Sequence, residues 1–125
     1  MIDTPFLMAD ILLAEDDDNL RYYLCRALER AGHNVISAAN GLEAEETLSF
    51  HRFDLVLTDV VMPEKGGVEL AKIARFHQPE IKVMFITGFS GVLMEETDLS
   101  FKSAKVLSKP FHLRDLIIEV KKVLL

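Results

Sequence analysis

Apolar residues in this chain recur in two patterns, and the patterns alternate. Ile11-Leu12-Leu13-Ala14 is a short unbroken apolar run that ends on acids, which predicts a buried strand. A helical spacing follows from about Asn19 to Ala31. It sets Leu20, Tyr23, Leu24, Ala27 and Leu28 on one face and puts Gly32 where a C-terminal cap belongs. Asn34-Val35-Ile36-Ser37-Ala38 predicts a second strand, and Asn40-Gly41 opens a second helix containing Leu42, Glu45 and Leu48. Asp54-Leu55-Val56-Leu57-Thr58-Asp59 predicts a third strand, again apolar until it ends on a carboxylate. Pro63 and the pair Gly66-Gly67 break the chain before a third helix over roughly Val68 to Phe76. Lys82-Val83-Met84-Phe85-Ile86-Thr87 predicts the fourth strand and Ala104-Lys105-Val106-Leu107 the fifth. Between these two, Gly88, Ser90 and Gly91 loosen the chain, and only Val92 to Thr97 carries helical propensity, which predicts a short or mobile helix. The last helix, about Leu113 to Leu124, lines up Leu113, Leu116, Ile117, Val120 and Leu124 in one stripe.

Strand and helix thus alternate five times. This alternation predicts an α/β fold with parallel strands, right-handed crossovers and helices on both faces of the sheet. The 125 residues suit one domain with a core of its own. Met8-Ala9-Asp10 would serve as a start, so residues 1–8 are expected to be a short extension and residues 9–125 the domain.

Charge narrows the function. The net charge of −6 argues against nonspecific nucleic-acid binding and against anionic membrane surfaces. No apolar run approaches the roughly 20 residues of a membrane span. A single cysteine, Cys25, forbids an intrachain disulfide and suggests a reducing, cytoplasmic setting. Cys25 itself falls near the buried stripe of the first helix and reads as a small core residue. His33, His51, His77 and His112 lack metal-ligand spacing and read as surface or cap residues. The charge is unevenly spread. Glu15-Asp16-Asp17-Asp18 are four consecutive acids directly after an apolar run, and clustered carboxylates repel one another unless a cation or ample water sits among them.

Open parallel sheets bind ligands at the carboxyl ends of their strands. Here those ends deliver Glu15 and Asp16, Asp59, Thr87 and Lys109. Oxygen ligands of this kind suit Mg²⁺, a lysine and a hydroxyl suit phosphoryl oxygens, and a remaining carboxylate can act as a nucleophile.

Those residues stand within Ile11-Leu12-Leu13-Ala14-Glu15-Asp16-Asp17, Asp54-Leu55-Val56-Leu57-Thr58-Asp59-Val60-Val61-Met62-Pro63, Phe85-Ile86-Thr87-Gly88 and Leu107-Ser108-Lys109-Pro110-Phe111. In this order and spacing the chain, from about Asp10 to Leu125, resembles the receiver domains of two-component response regulators. The resemblance implies a three-layer (βα)5, flavodoxin-like receiver fold with a five-stranded parallel sheet in the order 2-1-3-4-5. It also implies that Asp59 is the phosphoacceptor, Asp16 a direct Mg²⁺ ligand and Glu15 a ligand mostly through water. The carbonyl of Val61 would complete the protein's metal ligands. Thr87 and Lys109 would contact the phosphoryl group, and Lys109-Pro110 would be a cis peptide. Asp17 could be read into the acidic pair in place of Glu15. The family's pair follows its strand directly, which favours Glu15 and Asp16 and leaves Asp17 and Asp18 to start the first helix.

Phe85-Ile86-Thr87-Gly88-Phe89 and the run Lys105 to Leu116 add a narrower resemblance. It is to single-domain receivers of alphaproteobacteria that act in the cell-cycle phosphorelay and as phosphorylation-gated adaptors of the ClpXP protease. This implies a histidine kinase or histidine phosphotransferase as phosphoryl source and the ClpXP unfoldase as target. It implies no enzyme beyond the receiver's own phosphorylation and dephosphorylation. With no output domain after the last helix, the signal is expected to pass to a separate molecule. Many receivers pair the threonine with a rotating aromatic on the fifth strand. Val106 holds that place here, so coupling is expected to run through residues 88–103. Val61 and Phe89 flank the path of attacking water and cannot orient it, which implies a long-lived phosphoryl group. Four alternatives compete. A haloacid-dehalogenase-type phosphatase needs an acid where Val61 stands. A nucleotide-binding domain needs a glycine-rich or Walker motif after the first strand, where acids stand instead. A degenerate, phosphate-free receiver conflicts with the intact set Asp16, Asp59, Thr87 and Lys109. A generic phosphorelay intermediate remains.

Overall fold

The computed structural model describes residues 8–88, 101 and 104–125. Its elements are β1 (Asp10–Ala14), α1 (Asp18–Arg30), β2 (Asn34–Ala38), α2 (Gly41–Leu48), β3 (Leu55–Asp59), α3 (Gly67–His77), β4 (Lys82–Thr87), β5 (Lys105–Ser108) and α4 (Leu113–Leu124). The strands form one five-stranded sheet in the order β2-β1-β3-β4-β5, and every pairing is parallel. The expected fold is therefore observed. The short or mobile helix expected over Val92 to Thr97 lies outside the described residues.

Strand alternation divides the core into two layers. Leu12, Val56, Val83 and Phe85 face α2 and α3, where Ala44, Leu48, Leu70, Ala71 and Ala74 meet them. Ile11, Leu13, Leu55, Leu57, Met84 and Ile86 face the other way, onto Leu24, Leu28, Leu116 and Val120 of α1 and α4. Both faces of the central strands are covered, which is why β1 and β3 read as continuous apolar runs rather than alternating ones.

Local chemistry fixes the helix ends. Asp17 caps α1 through its side chain, which accepts the Leu20 N–H, and Asp18 occupies the first turn. At the other end Gly32 takes a φ of 102°, while its N–H donates to the Glu29 carbonyl and the His33 N–H to the Leu28 carbonyl. That pair of bonds is a Schellman cap, and the left-handed backbone is what glycine supplies. Asn40 caps α2 by accepting the Glu43 N–H at 2.9 Å.

Several expectations need correction. Tyr23 does not join the buried stripe of α1. It is 58% exposed and packs edge-on to the neighbouring Tyr22, while Leu24 and Leu28, flanked by Leu20 and Cys25, face the core. Leu113 likewise stands partly exposed at the first turn of α4, whose buried contacts begin one turn later at Leu116. His33 is not a surface residue. It is buried, and its Nδ1 accepts the Ala9 N–H at 3.1 Å. Element bounds shift by one residue at β1, α1, β3, α3 and β5. Cys25 is half-buried against the α1–α4 core layer, and burial pushes its thiol pKa up.

Candidate functional site

β1 and β3 are neighbours at the centre of the sheet, and the chain leaves them on opposite faces. Their carboxyl ends thus open the crevice where the connection order reverses. β1 ends at Ala14, so Glu15 and Asp16 enter that crevice, and β3 brings Asp59 as its own last residue. Ligand atoms of Glu15, Asp16 and Asp59 lie within 4.8 Å of one another. Glu15 and Asp59 are buried while Asp16 is exposed.

Lys109 enters this cluster from beyond β5. Its Nζ donates to Asp59 Oδ2 at 2.8 Å and lies 3.2 Å from Glu15 Oε1. Its backbone N–H donates to the Thr87 carbonyl at 2.8 Å, so the end of β4 places the lysine. The Lys109-Pro110 peptide is cis, as the family resemblance implied. Thr87 is fully buried as the last residue of β4.

The electrostatics of the cluster are uneven. Burial, reinforced by the nearby charge of Asp59, pushes the Glu15 carboxyl up to about 7, although the Asp17 N–H and Lys109 pull the other way. Glu15 Oε1 is buried, and beyond the Lys109 ammonium it meets no donor among the described residues. For Lys109, burial works against the charged form, but the hydrogen bonds and charges of Asp59 and then Glu15 outweigh it, and its pKa rises. One ammonium thus serves two carboxylates. The donor set is all oxygen, and its two buried carboxylates share a single ammonium, which fits a small hard cation.

Three supporting groups were not anticipated from the sequence. Arg21 Nη1 donates to the Glu15 carbonyl at 2.9 Å and Nη2 to Asp18 Oδ1 at 2.7 Å, which pins the acidic loop to α1. Gly67 allows α3 to touch the end of β3, since a Cβ there would sit 2.1 Å from the Asp59 carbonyl oxygen. Lys65 pairs with Glu45 of α2 at 3.0 Å and Glu69 of α3 at 3.7 Å, beside Glu64 with a φ of 69°. A long-range ion pair and a left-handed glutamate leave no periodic signal. The Gly66-Gly67 pair was the one visible trace of this close approach.

A comparison with protein families matches residues 11–121 to the response regulator receiver domain. The chain belongs to that family. Among curated relatives, this receiver is 51% identical to the response regulator receiver protein CpdR of Brucella abortus, over 94% of this chain and 98% of that one. Among solved structures, a response regulator receiver protein from Sinorhizobium medicae superposes with a TM-score of 0.84 at 28% identity, covering 96% and 97% of the two chains. The response regulator TrrA of Thermotoga maritima, solved in complex with Mg²⁺-BeF, superposes with a TM-score of 0.79 at 32% identity, covering 93% and 98%.

The Val61 N–H donates to Asp59 Oδ1 at 3.2 Å, and its side chain is exposed. Val106 pairs with Phe85 across β4 and β5 and is half-buried against the α2–α3 core layer. That layer also holds Phe101, whose ring meets Phe85 edge-on at 5.9 Å and lies under the Arg75 guanidinium at 4.9 Å. Phe89 lies outside the described residues.

Proposed function

We propose that Asp59 accepts a phosphoryl group from the phosphohistidine of a kinase or phosphotransferase. One observation carries the reading. A buried carboxylate at the end of β3 shares a single ammonium with a second buried carboxylate, that of Glu15. In the transfer an Asp59 oxygen attacks phosphorus, the N–P bond breaks, and the imidazole leaves with the bond's electrons. Lys109 already stands on the attacked side and follows the developing charge onto the phosphoryl oxygens. The Thr87 hydroxyl donates to another of those oxygens. Asp16, Asp59, the Val61 carbonyl and, through water, Glu15 would hold Mg²⁺, which would supply positive charge to the phosphoryl oxygens. The receiver of TrrA, solved with Mg²⁺-BeF, supports this assignment.

The test is phosphorylation by a small phosphodonor with Mg²⁺, read as a single phosphoryl adduct by mass spectrometry. The adduct is expected in the native chain and absent from Asp59→Asn. An adduct of equal yield in that variant overturns the assignment. A phosphatase of the haloacid dehalogenase type is disfavoured, because the second residue after Asp59 is Val61, which moves no proton.

Downstream, the reading is a cytoplasmic, phosphorylation-gated adaptor of regulated proteolysis in cell-cycle signalling, with the ClpXP unfoldase as partner. The identity of 51% to CpdR over nearly both full lengths supports it, together with the Lys105 to Leu116 resemblance. Purified unfoldase titrated against the free and beryllofluoride-loaded protein should bind the free form about tenfold more tightly, a difference of about 1.4 kcal/mol. Equal affinity in both states leaves a generic phosphorelay receiver.

A further inference from the structure

Glu15 and Asp16 stand on a loop of three residues, 15–17, between β1 and α1. Its ends are held by the backbone and by its own acids. The Glu15 N–H donates to the Ala38 carbonyl of β2 at 3.1 Å. The Asp17 N–H donates to Glu15 Oε2 at 3.0 Å, and the Asp17 side chain accepts the Leu20 N–H at 3.0 Å. The peptide unit between Glu15 and Asp16 is held by a side chain from outside the loop. Arg21 Nη1 donates to the Glu15 carbonyl at 2.9 Å. A peptide unit is planar, so holding its oxygen fixes the direction in which the chain presents Asp16, whose carboxylate is exposed.

Helix stability does not account for this arginine. Arg21 is the fourth residue of α1, and a cation near a helix N-terminus works against the macrodipole. Its ion pair with Asp18, at 2.7 Å, ends on a carboxylate that is 85% exposed, where such pairs contribute little. The Arg21 side chain is itself only 20% exposed, held between that carboxylate and the Glu15 carbonyl. A planar guanidinium serves two such oxygens at fixed angles. A lysine ammonium carries the same charge without that fork.

We propose that Arg21 is a positioning residue for the Mg²⁺ site and acts through the Glu15-Asp16 peptide, not through its charge. This role rests on Glu15, Asp16 and Asp59 holding Mg²⁺, as proposed above. Position and charge predict opposite signs. A guanidinium beside the acids repels a divalent cation, so loss of its charge alone would tighten Mg²⁺ binding. Loss of its hold on the peptide weakens binding, because groups that orient metal ligands typically govern about tenfold or more in affinity.

The probe is Mg²⁺ alone, titrated into the isotopically labelled full chain and read by amide shifts at residues 15–17 and 59–61, well below the melting temperature of each variant. Saturable shifts are expected in the native chain. Arg21→Lys and Arg21→Gln should both bind Mg²⁺ about tenfold more weakly, the lysine failing to rescue although it keeps the charge. Arg26→Gln removes the same charge from an exposed position of α1 and should bind at least as tightly as the native chain. Native affinity in Arg21→Lys, or tighter binding in Arg21→Gln, overturns the positioning role and leaves the Mg²⁺ site standing. A lowered melting temperature in both Arg21 variants with native Mg²⁺ affinity overturns it as well and makes Arg21 a purely structural residue. No Mg²⁺-dependent shift at these residues in the native chain overturns the Mg²⁺ site itself, and the role of Arg21 with it.

Discussion

The two edges of the sheet treat their buried polar groups in opposite ways. At the amino ends of the strands, His33 and Gln78 are matched. Asp54 Oδ2 accepts the Asp10 N–H at 2.8 Å, Asn34 donates to Asp10 Oδ1 at 3.1 Å, His33 takes the Ala9 N–H, and Gln78 clamps two backbone groups. At the carboxyl ends, two buried carboxylates divide one lysine, and Glu15 Oε1 meets no other donor among the described residues. Buried polar groups that are satisfied hold a structure together. Those left unsatisfied store a demand for something else, here charge. The difference separates scaffold from site without reference to any motif.

The largest expected effect breaks the matched edge. Gln78→Ala leaves a buried Phe53 N–H without its acceptor and should destabilise by about 2 kcal/mol, seen as a lowered urea midpoint. Phosphorylation of Asp59 should be unchanged below that midpoint. A fall in phosphorylation with stability unaltered would show that the two edges are not separable in this way.

The opposite change at the other edge should stabilise. Glu15→Gln removes a buried charge at nearly constant volume, so the metal-free protein should gain on the order of 1–3 kcal/mol at pH 8. The same variant should bind Mg²⁺ more weakly. Calorimetric scans with and without Mg²⁺ read both, and a loss of stability without metal would mean that Glu15 is already satisfied.

The edges should also differ in the sign of their pH response. Glu15 is raised from 4.5 to about 7, so the folded state holds a proton that the unfolded state has released. Its contribution to stability is full below about 4.5 and is lost as pH rises through about 7. Burial lowers the His33 pKa from 6.5. Its contribution is present above 6.5 and is lost as pH falls, because the ring must stay neutral to accept the Ala9 N–H. The metal-free native chain should therefore show a flattened profile between pH 5 and 8, and Glu15→Gln should convert it to a simple loss on acidification. An identical profile in both would place the alkaline loss elsewhere.

The smallest effect concerns the link between the edges. Lys65→Met cuts the ion pairs that join the loop after Asp59 to α2 and α3. A slight drop in melting temperature is expected, and high salt should erase the difference from the native chain. A large loss of Mg²⁺ affinity would instead make Lys65 a positioning residue for the site.

The sequence by itself determined the order of the elements, the strand ends and the chemistry at those ends. Runs bounded by acids, the Gly32 cap and the Asp17 cap are local signals, written within a few neighbouring residues. It also placed Glu15, Asp16, Asp59, Thr87 and Lys109 on one edge, because parallel strands must all end on the same side. Tertiary structure decided the rest. The face of α1 that is covered depends on how wide its contact with β1 and α4 is, so Tyr23 fits the helical spacing and still lies in solvent. His33 and Gln78 became buried because Ala9 and Phe53, both 24 or more residues away, brought backbone groups to them. The shared ammonium of Lys109 spans 50 residues to Asp59, and its contact with Glu15 exists only once β1, β3, β4 and β5 have joined one sheet. Burial and pairing across such separations are properties of packing, and a residue's own neighbours in the chain do not encode them.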